Sequence, residues 1–424
     1  MITDLLSRII LGKKDKFIFK GYESRMIDFS RIEEEIGIYI HIPFCKSICP
    51  YCPYNKVVYE KNMAEKYVEA LLKEFNLYKD EIQNKKITSI YFGGGTPTLV
   101  AKELIEFIQY IKKTISFDGD IGMEVYPSQV NTNLLNTLKE LGVNMISLGV
   151  QTFDDDILKF LGRNYTAKDI DIAIKLIKSY GFKCVDIDIM SNLPGQSIEQ
   201  IEYDLKKVYS YGIDQLSIYP LIVFPLTNMS KVINDRGLSR FNEFQEINIL
   251  KLIDAISSEY GYKRNSVWTY GKEDNNRYTS VTRESFIGLG AGASSLFGDY
   301  FYLNTFNVDE YIKAVNEKKK PINLVNVMNE KEKMIFWIFW RCYDGVIDEN
   351  RFKELFGKDM KKEFRLLFTA LKFLRMSKQQ QNKLVLTNFG RYAYHYVEKQ
   401  YSIHYLNKLW QSSMEKAWIE EIKI

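Results

Sequence analysis

No stretch of this sequence approaches the length of a membrane-spanning helix, and no lipidation motif closes its C-terminal end. Neither sign of charge dominates: 58 basic residues against 54 acidic ones leave a net +4. That balance makes no general case for nucleic acid or an anionic membrane as a partner. The opening run, residues 1–11, is broken by Asp4 and Arg8, so it is not a secretory signal. It reads instead as a short amphipathic docking helix. Cysteines number five, an odd count that suits neither a disulfide framework nor an oxidising compartment. The expected location is the cytoplasm.

What is present is concentrated. Cys45, Cys49 and Cys52 stand in one short loop, spaced C-x3-C-x2-C, after the β-rich run 36–41. Three thiolates bind three irons of a [4Fe–4S] cube and leave the fourth iron without a protein ligand. Cubes used only for electron transfer normally have four thiolates. A missing ligand reads as an open catalytic position. A structural zinc site wants four N or S donors, and the nearest histidine, His41, lies on a strand that aims it along a different line. Cys184 and Cys342 stand in apolar surroundings and read as buried small hydrophobes.

From residue 36 to 223 the pattern alternates short β-rich runs with amphipathic helices. Strand candidates are 36–41, 87–92, 121–125, 145–150, 185–190 and 215–221. Helix candidates are 63–78, 101–115, 133–141, 166–180 and 199–211. Such alternation means a parallel sheet with crossover helices. Gly142, Gly181 and Gly212 follow helix ends, where a left-handed residue stops a helix. Six units suggest a partial barrel, because a closed one needs eight. The expected fold class is therefore α/β, an open (β/α)6 TIM-like barrel. Lys318-Lys-Lys-Pro321 reads as a connector. Beyond it come helices at 330–343, 349–355 and 359–374, a β-wing near 383–390 and a last helix from 391, a winged-helix-like order. The resulting division is an N-terminal segment 1–35, a core 36–310 and a C-terminal domain 311–424.

Parallel barrels place their active sites at the carboxyl ends of the strands. Strand two ends in Gly93-Gly-Gly-Thr-Pro97, where missing side chains let the backbone approach a ligand. Strand three ends in Glu124-Val-Tyr-Pro127, strand four in Gly149-Val-Gln151, followed by Arg163. Strand five carries Asp186 and Asp188, which alternation puts on one face. Unpaired and buried they would be costly, so both are expected to face the mouth and meet polar groups or a cation.

The strings IYIHIPFC, YFGGGTPT, SLGVQTFDDDILKFLGR and DIDIMSNLPGQ resemble the oxygen-independent coproporphyrinogen III oxidase (HemN-like) family of the radical S-adenosylmethionine (SAM) enzymes. The resemblance runs from about residue 36 to 295 and loosely beyond. It implies a radical SAM fold with a [4Fe–4S] cluster on Cys45, Cys49 and Cys52. It implies Tyr39 beside the cluster and Gly94, Gly95 and Thr96 on the methionine end of SAM. Glu124, Gln151, Arg163 and Asp188 would contact SAM, with Tyr39, Glu124 and Asp188 as the catalytic set. Gly290 and Gly292, in Gly288-Leu-Gly-Ala-Gly292, would close the cofactor pocket. A dinucleotide fingerprint is rejected there, because no βαβ unit follows.

Two departures bear on the branch. The oxidase has a further cysteine where this chain has Tyr54, and the haem chaperone typically has an acidic-aromatic pair where this chain has Pro53-Tyr54. Trp268-Thr-Tyr270, Asn276-Arg-Tyr278 and the tail 401–424 look more like the haem-degrading methyltransferase branch. The leading expectation is therefore a two-SAM enzyme that methylates or cyclopropanates an unsaturated or tetrapyrrole-like small molecule. Coproporphyrinogen oxidation and haem chaperoning are its alternatives. In the last, His395 or His404 would ligate haem iron, unless they are surface or capping histidines. A flavodoxin or ferredoxin would supply electrons, and the chain would be a monomer.

Overall fold

The computed structural model describes residues 17–272 and 284–424. The docking helix expected at 1–11 and the Asn276–Tyr278 feature lie outside the described residues. Six parallel strands form the centre of one sheet: Glu35–Ile42, Lys86–Gly94, Phe117–Val125, Met145–Gln151, Cys184–Ser191 and Gln215–Pro220. They pair in chain order, each parallel to the next. The sheet's two end strands, Lys263–Arg264 and Glu421–Lys423, do not pair with each other, so the barrel is open.

Local chemistry accounts for the crossover helices. Helix Ala167–Ser179 opens with a Thr166/Asp169 capping box, and helix Ile198–Ser210 with a Ser197/Gln200 box. Gly142 closes helix Thr132–Leu141 at φ 79°, the left-handed cap that the sequence suggests. Ile170, Ile174 and Ile177 sit one turn apart and are fully buried against the sheet. Each contributes about 1.5–3 kcal/mol of apolar burial.

The sheet is larger than six units suggest. Strand Phe286–Leu289 adds parallel to the outer edge of the first barrel strand. Antiparallel strands Ser294–Phe297, Tyr300–Asn304 and Ile322–Val327 follow, and then Ile18–Gly21 and Glu421–Lys423. The sheet thus takes in residues on both sides of positions 35 and 310. This extension escapes a search for βα repeats because its strands are hairpin-linked.

The C-terminal part has the expected winged order. Helices Glu330–Asp344, Glu349–Phe356, Met360–Glu363 and Arg365–Phe373 precede the hairpin Ser377–Gln380 and Lys383–Leu386, and Val346–Asp348, after the first helix, pairs with Lys383–Leu386 to complete a small sheet. The single helix expected at 359–374 breaks at Phe364. Trp337, Phe352, Phe364 and Phe368 fill its core. Helix Asn388–Tyr401 then runs through a π-helical turn, Ser402–Leu406, into helix Asn407–Glu415. Among the described residues no helix is long and apolar enough to cross a membrane.

Candidate active site

The cysteine loop leaves the first barrel strand and is pinned at its base. Short strand Phe44–Cys45 pairs parallel with Val57–Val58, and Tyr59 N donates to Cys45 O (2.8 Å). Asn55 ties the loop to distant backbone: its Nδ2 donates to Ala291 O (3.0 Å) and Phe306 O (2.9 Å). Cys45, Cys49 and Cys52 are all free and half-buried. Burial pushes the Cys45 thiol up to about 11 and raises Cys52 as well. Without a cation Cys45 and Cys52 keep their protons; bound iron would draw them off.

The glycine strand end packs directly against the loop. A Cβ on Gly95 would stand 2.7 Å from Phe44 O and 2.9 Å from Cys45 Sγ. Thr96 Oγ1 approaches the same sulfur at 3.8 Å. Among the described residues no trio of His, Cys, Asp or Glu converges on one ion position. A cubane does not need one, because each thiolate takes a separate iron corner. The donor set, three free thiols in one loop, fits a cluster.

His41 is excluded as a ligand by its own bonds. Its Nε2 faces Asn55 O (3.0 Å), so that nitrogen carries the proton and Nδ1 accepts from Tyr39 OH (2.9 Å). Burial lowers its pKa to about 4. Tyr39 is therefore oriented by His41, and it stacks on Tyr91 with centroids 6.1 Å apart.

The next three strands bring the predicted polar residues into one layer. Glu124 accepts from Gly94 N and from Tyr91 OH, each at 3.1 Å. Burial, and then the charge of Asp188, raise its carboxyl to about 7. Asp188 accepts from Ser147 Oγ at 2.6 Å and is raised by burial to about 6. Asp186 lies deeper, 2% exposed, and accepts from Ser217 Oγ at 2.7 Å. It stays below the mouth, so of the two aspartates Asp188 is the one at the rim. Burial and Asp188 hold Asp186 far above the ordinary carboxylate range, which makes it a neutral core group.

Gln151 ends the fourth strand at φ 73°, buried, beside a register shift after Gly149. A non-glycine residue in the left-handed region and a bulge at a strand end both mark functional positions. Tyr219 OH reaches its Oε1 at 3.4 Å. Arg163 lies under three tyrosine rings, 5.1 Å from Tyr126, 5.7 Å from Tyr51 and 5.9 Å from Tyr165. Its Nη2 donates to Tyr51 OH, while its Nε is buried without a hydrogen-bond partner. An arginine held by aromatic faces with a donor to spare is prepared for an anion. The tyrosine cage is a feature sequence reasoning missed. Its one signal is Tyr51, placed between two cysteines.

Gly290 and Gly292 face protein. A Cβ on Gly290 would meet His41 O and Tyr67 OH at 2.5 Å, and one on Gly292 would meet Asn55 at 2.9 Å. Buried Glu74 holds this turn by accepting from Gly290 N at 2.7 Å. The turn backs the cysteine loop.

His395 is neither a surface nor a capping residue. Trp268 Nε1 donates to its Nδ1 (2.8 Å), so Nε2 carries the proton and meets Glu246 Oε1 (2.5 Å). Lys399 completes the cluster, 2.8 Å from both Glu246 oxygens. With both ring nitrogens engaged, His395 has no lone pair for iron. His404 is exposed and bonds Gln400 at 3.1 Å. Cys184 is fully buried, as expected. Cys342 is half-buried against the winged-domain core.

The Radical SAM superfamily matches residues 39–208. Heme chaperone HemW of Bacillus subtilis is 28% identical over 362 residues, 83% of this chain and 95% of that protein. Heme chaperone HemW of Lactococcus lactis is 31% identical over 338 residues, 77% of this chain and 88% of that protein. The oxygen-independent coproporphyrinogen III oxidase of Escherichia coli is 26% identical over 306 residues, 68% of this chain and 66% of that protein. The solved structure of coproporphyrinogen III oxidase (HemN) from Escherichia coli superposes with a TM-score of 0.79 at 20% identity, over 91% of this chain and 95% of that one, which shows a shared fold. These relatives carry the names of the two alternatives, and the preference for the methyltransferase branch gains no support from them. The chain belongs to the HemN/HemW family of radical SAM proteins.

Proposed function

We propose that this chain cleaves SAM at a [4Fe–4S] cluster held by Cys45, Cys49 and Cys52 and abstracts hydrogen from a tetrapyrrole. When bound, the cluster and SAM supply a 5′-deoxyadenosyl radical. The chain's own residues position and shield it. Gly94, Gly95 and Thr96 give SAM's methionine end close backbone approach beside Cys45. Arg163 receives the carboxylate, and Glu124, Gln151 and Asp188 receive the ammonium and ribose groups. The observation that carries this reading is Arg163 Nε, buried and unpartnered in a tyrosine cage, in the same layer as Glu124 and Asp188. The tetrapyrrole rests on the printed names of the relatives, which handle coproporphyrinogen or haem.

Oxidation of a porphyrinogen side chain is favoured over haem carriage. Of the three histidines, His41 and His395 have both ring nitrogens in hydrogen bonds, which leaves exposed His404, bonded to Gln400 through Nε2, as the histidine open to haem iron. The chaperone reading keeps one specific support, the match to nearly the full length of HemW relatives.

The test uses anaerobically reconstituted protein with SAM, dithionite, coproporphyrinogen III and an electron acceptor for the electron that the substrate radical gives up as carbon dioxide leaves. Formation of 5′-deoxyadenosine with loss of substrate carboxyl groups is expected. Coupled S-adenosylhomocysteine would restore the two-SAM reading. A full cluster with no SAM cleavage, and haem bound one per chain, would overturn the proposal in favour of the chaperone.

A further inference from the structure

Beyond the sixth barrel strand the sheet ends in strands Thr269–Gly271 and Lys263–Arg264. A cleft of about 730 Å³ lies between this edge and the winged domain. Helix Glu243–Glu259 and the two edge strands form one wall. The wing and the start of helix Asn388–Tyr401 form the other. None of the residues placed around the cluster lines it. Its volume is that of a small-molecule site.

The lining is dominated by one sign of charge. Lys263, Arg264, Arg375, Lys378 and Arg391 line the cleft against one carboxylate, Asp254, among the described residues. Asp254 is already engaged: Tyr270 OH and Tyr392 OH each donate to it at 2.6 Å, and Arg264 Nη1 stands 3.6 Å from its Oδ2. Arg264 is fixed in turn. Its Nε donates to Val267 O at 3.0 Å, and its guanidinium lies 5.8 Å from the Tyr270 ring and 5.6 Å from the Tyr392 ring. Its side chain is 6% exposed, and its Nη1 makes no hydrogen bond. Arg375 and Lys378 are exposed, and among the described residues neither has a carboxylate within ion-pair distance. Elsewhere on the winged domain Lys361 meets Glu349 at 2.8 Å and Lys383 meets Asp348 at 3.8 Å.

A cleft lined by one sign of charge focuses its field and concentrates counter-ions. Here the donors come from three separate places: strand Lys263–Arg264, the turn after helix Arg365–Phe373, and wing strand Ser377–Gln380. A carboxylate presents two oxygens in one plane. A phosphate presents three in a fan and accepts from several sides at once. The near-neutral chain makes no general case for nucleic acid, and the cleft has the size of a small ligand. We propose that this cleft binds a small phosphate-bearing molecule, at a site separate from the cluster.

The probe is inorganic pyrophosphate, titrated calorimetrically into the full reconstituted chain in chloride buffer. Iron content before and after excludes extraction of the cluster as the source of heat. One pyrophosphate per chain is expected, with a Kd below about 1 mM. Arg375→Gln/Lys378→Gln removes two charged donors and should weaken binding at least about tenfold. Lys159→Gln/Lys175→Gln removes two exposed lysines from barrel helices outside the cleft and should leave the Kd within about twofold. Circular dichroism reports folding. If the cleft variant does not fold, Lys378→Gln alone must weaken binding at least about threefold, and an unchanged Kd there overturns the proposal. Absence of saturable binding, an unchanged Kd in the cleft variant, or an equal loss in both double variants also overturns it. Citrate bound as tightly as pyrophosphate would refute the choice of phosphate. A short oligothymidylate bound more tightly than pyrophosphate, and lost in the cleft variant, would assign the cleft to nucleic acid and refute the small ligand.

Discussion

Gly94 N donates to Glu124 Oε2 at 3.1 Å, so the glycine strand end and the carboxylate of the next strand are one unit. Glu124→Gln keeps the shape and removes the charge. Hydrogen bonds to charged groups contribute roughly 1.5–3 kcal/mol, so the Kd for SAM should rise about 10- to 100-fold. Iron per chain should not change. Equilibrium dialysis with reconstituted protein would decide, and an affinity within about twofold of the parent would refute a direct role.

The contact between Gly95 and the cysteine loop makes a second prediction. A methyl in Gly95→Ala would meet Phe44 O at 2.7 Å and Cys45 Sγ at 2.9 Å. Overpacking of this kind costs about 1–3 kcal/mol, and here it falls on a cluster ligand. Iron loading should drop sharply. Gly181→Ala, with nothing within 4 Å of the added carbon, should lose some stability but keep its iron.

Titration of the site should be visible in SAM affinity. Glu124 and Asp188 are raised to about 7 and about 6, chiefly by burial. An ammonium or sulfonium favours the ionised carboxylates, so binding should tighten as pH rises through this range. The fold itself prefers the neutral forms. Stability of the SAM-free protein should therefore fall as pH rises from the ordinary carboxylate range to about 7 and level off above it. Calorimetric affinity across pH, flat in the Glu124→Gln/Asp188→Asn double variant, is the expected signature. A slope that persists in that variant would assign the titration elsewhere.

The Glu246, Lys399 and His395 cluster fastens the C-terminal helix to the barrel. Burial pushes Glu246 up, but the bonds from His395 and Lys399 outweigh it and hold the carboxyl well below its usual range. Because its folded pKa is depressed, its contribution is complete above the ordinary carboxylate range and is lost as pH falls below it. Glu246→Gln strands a buried ammonium, and breaking a buried ion pair costs about 3–5 kcal/mol. A clear drop in the midpoint of chemical unfolding should follow. An unchanged midpoint would mean that Lys399 finds water instead.

Much of this was legible because the signals are local. Strand and helix limits at 145–150 and 133–141 fall within a residue or so of Met145–Gln151 and Thr132–Leu141, since periodicity and the Gly142 cap are read over a few positions. The neighbouring positions of Glu124 and Asp188 were legible because strand ends follow one another in a parallel barrel. The hairpin extension, the Arg163 cage and the buried setting of His395 were not. Each depends on partners far apart in the chain, such as Trp268 with His395, 127 residues away. Helix spacing around 391–404 gives no sign that a strand-end tryptophan will meet it.

Asn55 reaches Ala291 and Phe306 across 236 and 251 residues. The cysteine loop is written early in the chain, yet its shape is completed by segments that fold against it much later. Contacts of such separation carry a large loop-closure cost. A chain truncated before these segments would present the three thiols without the bonds that Asn55 makes to Ala291 and Phe306.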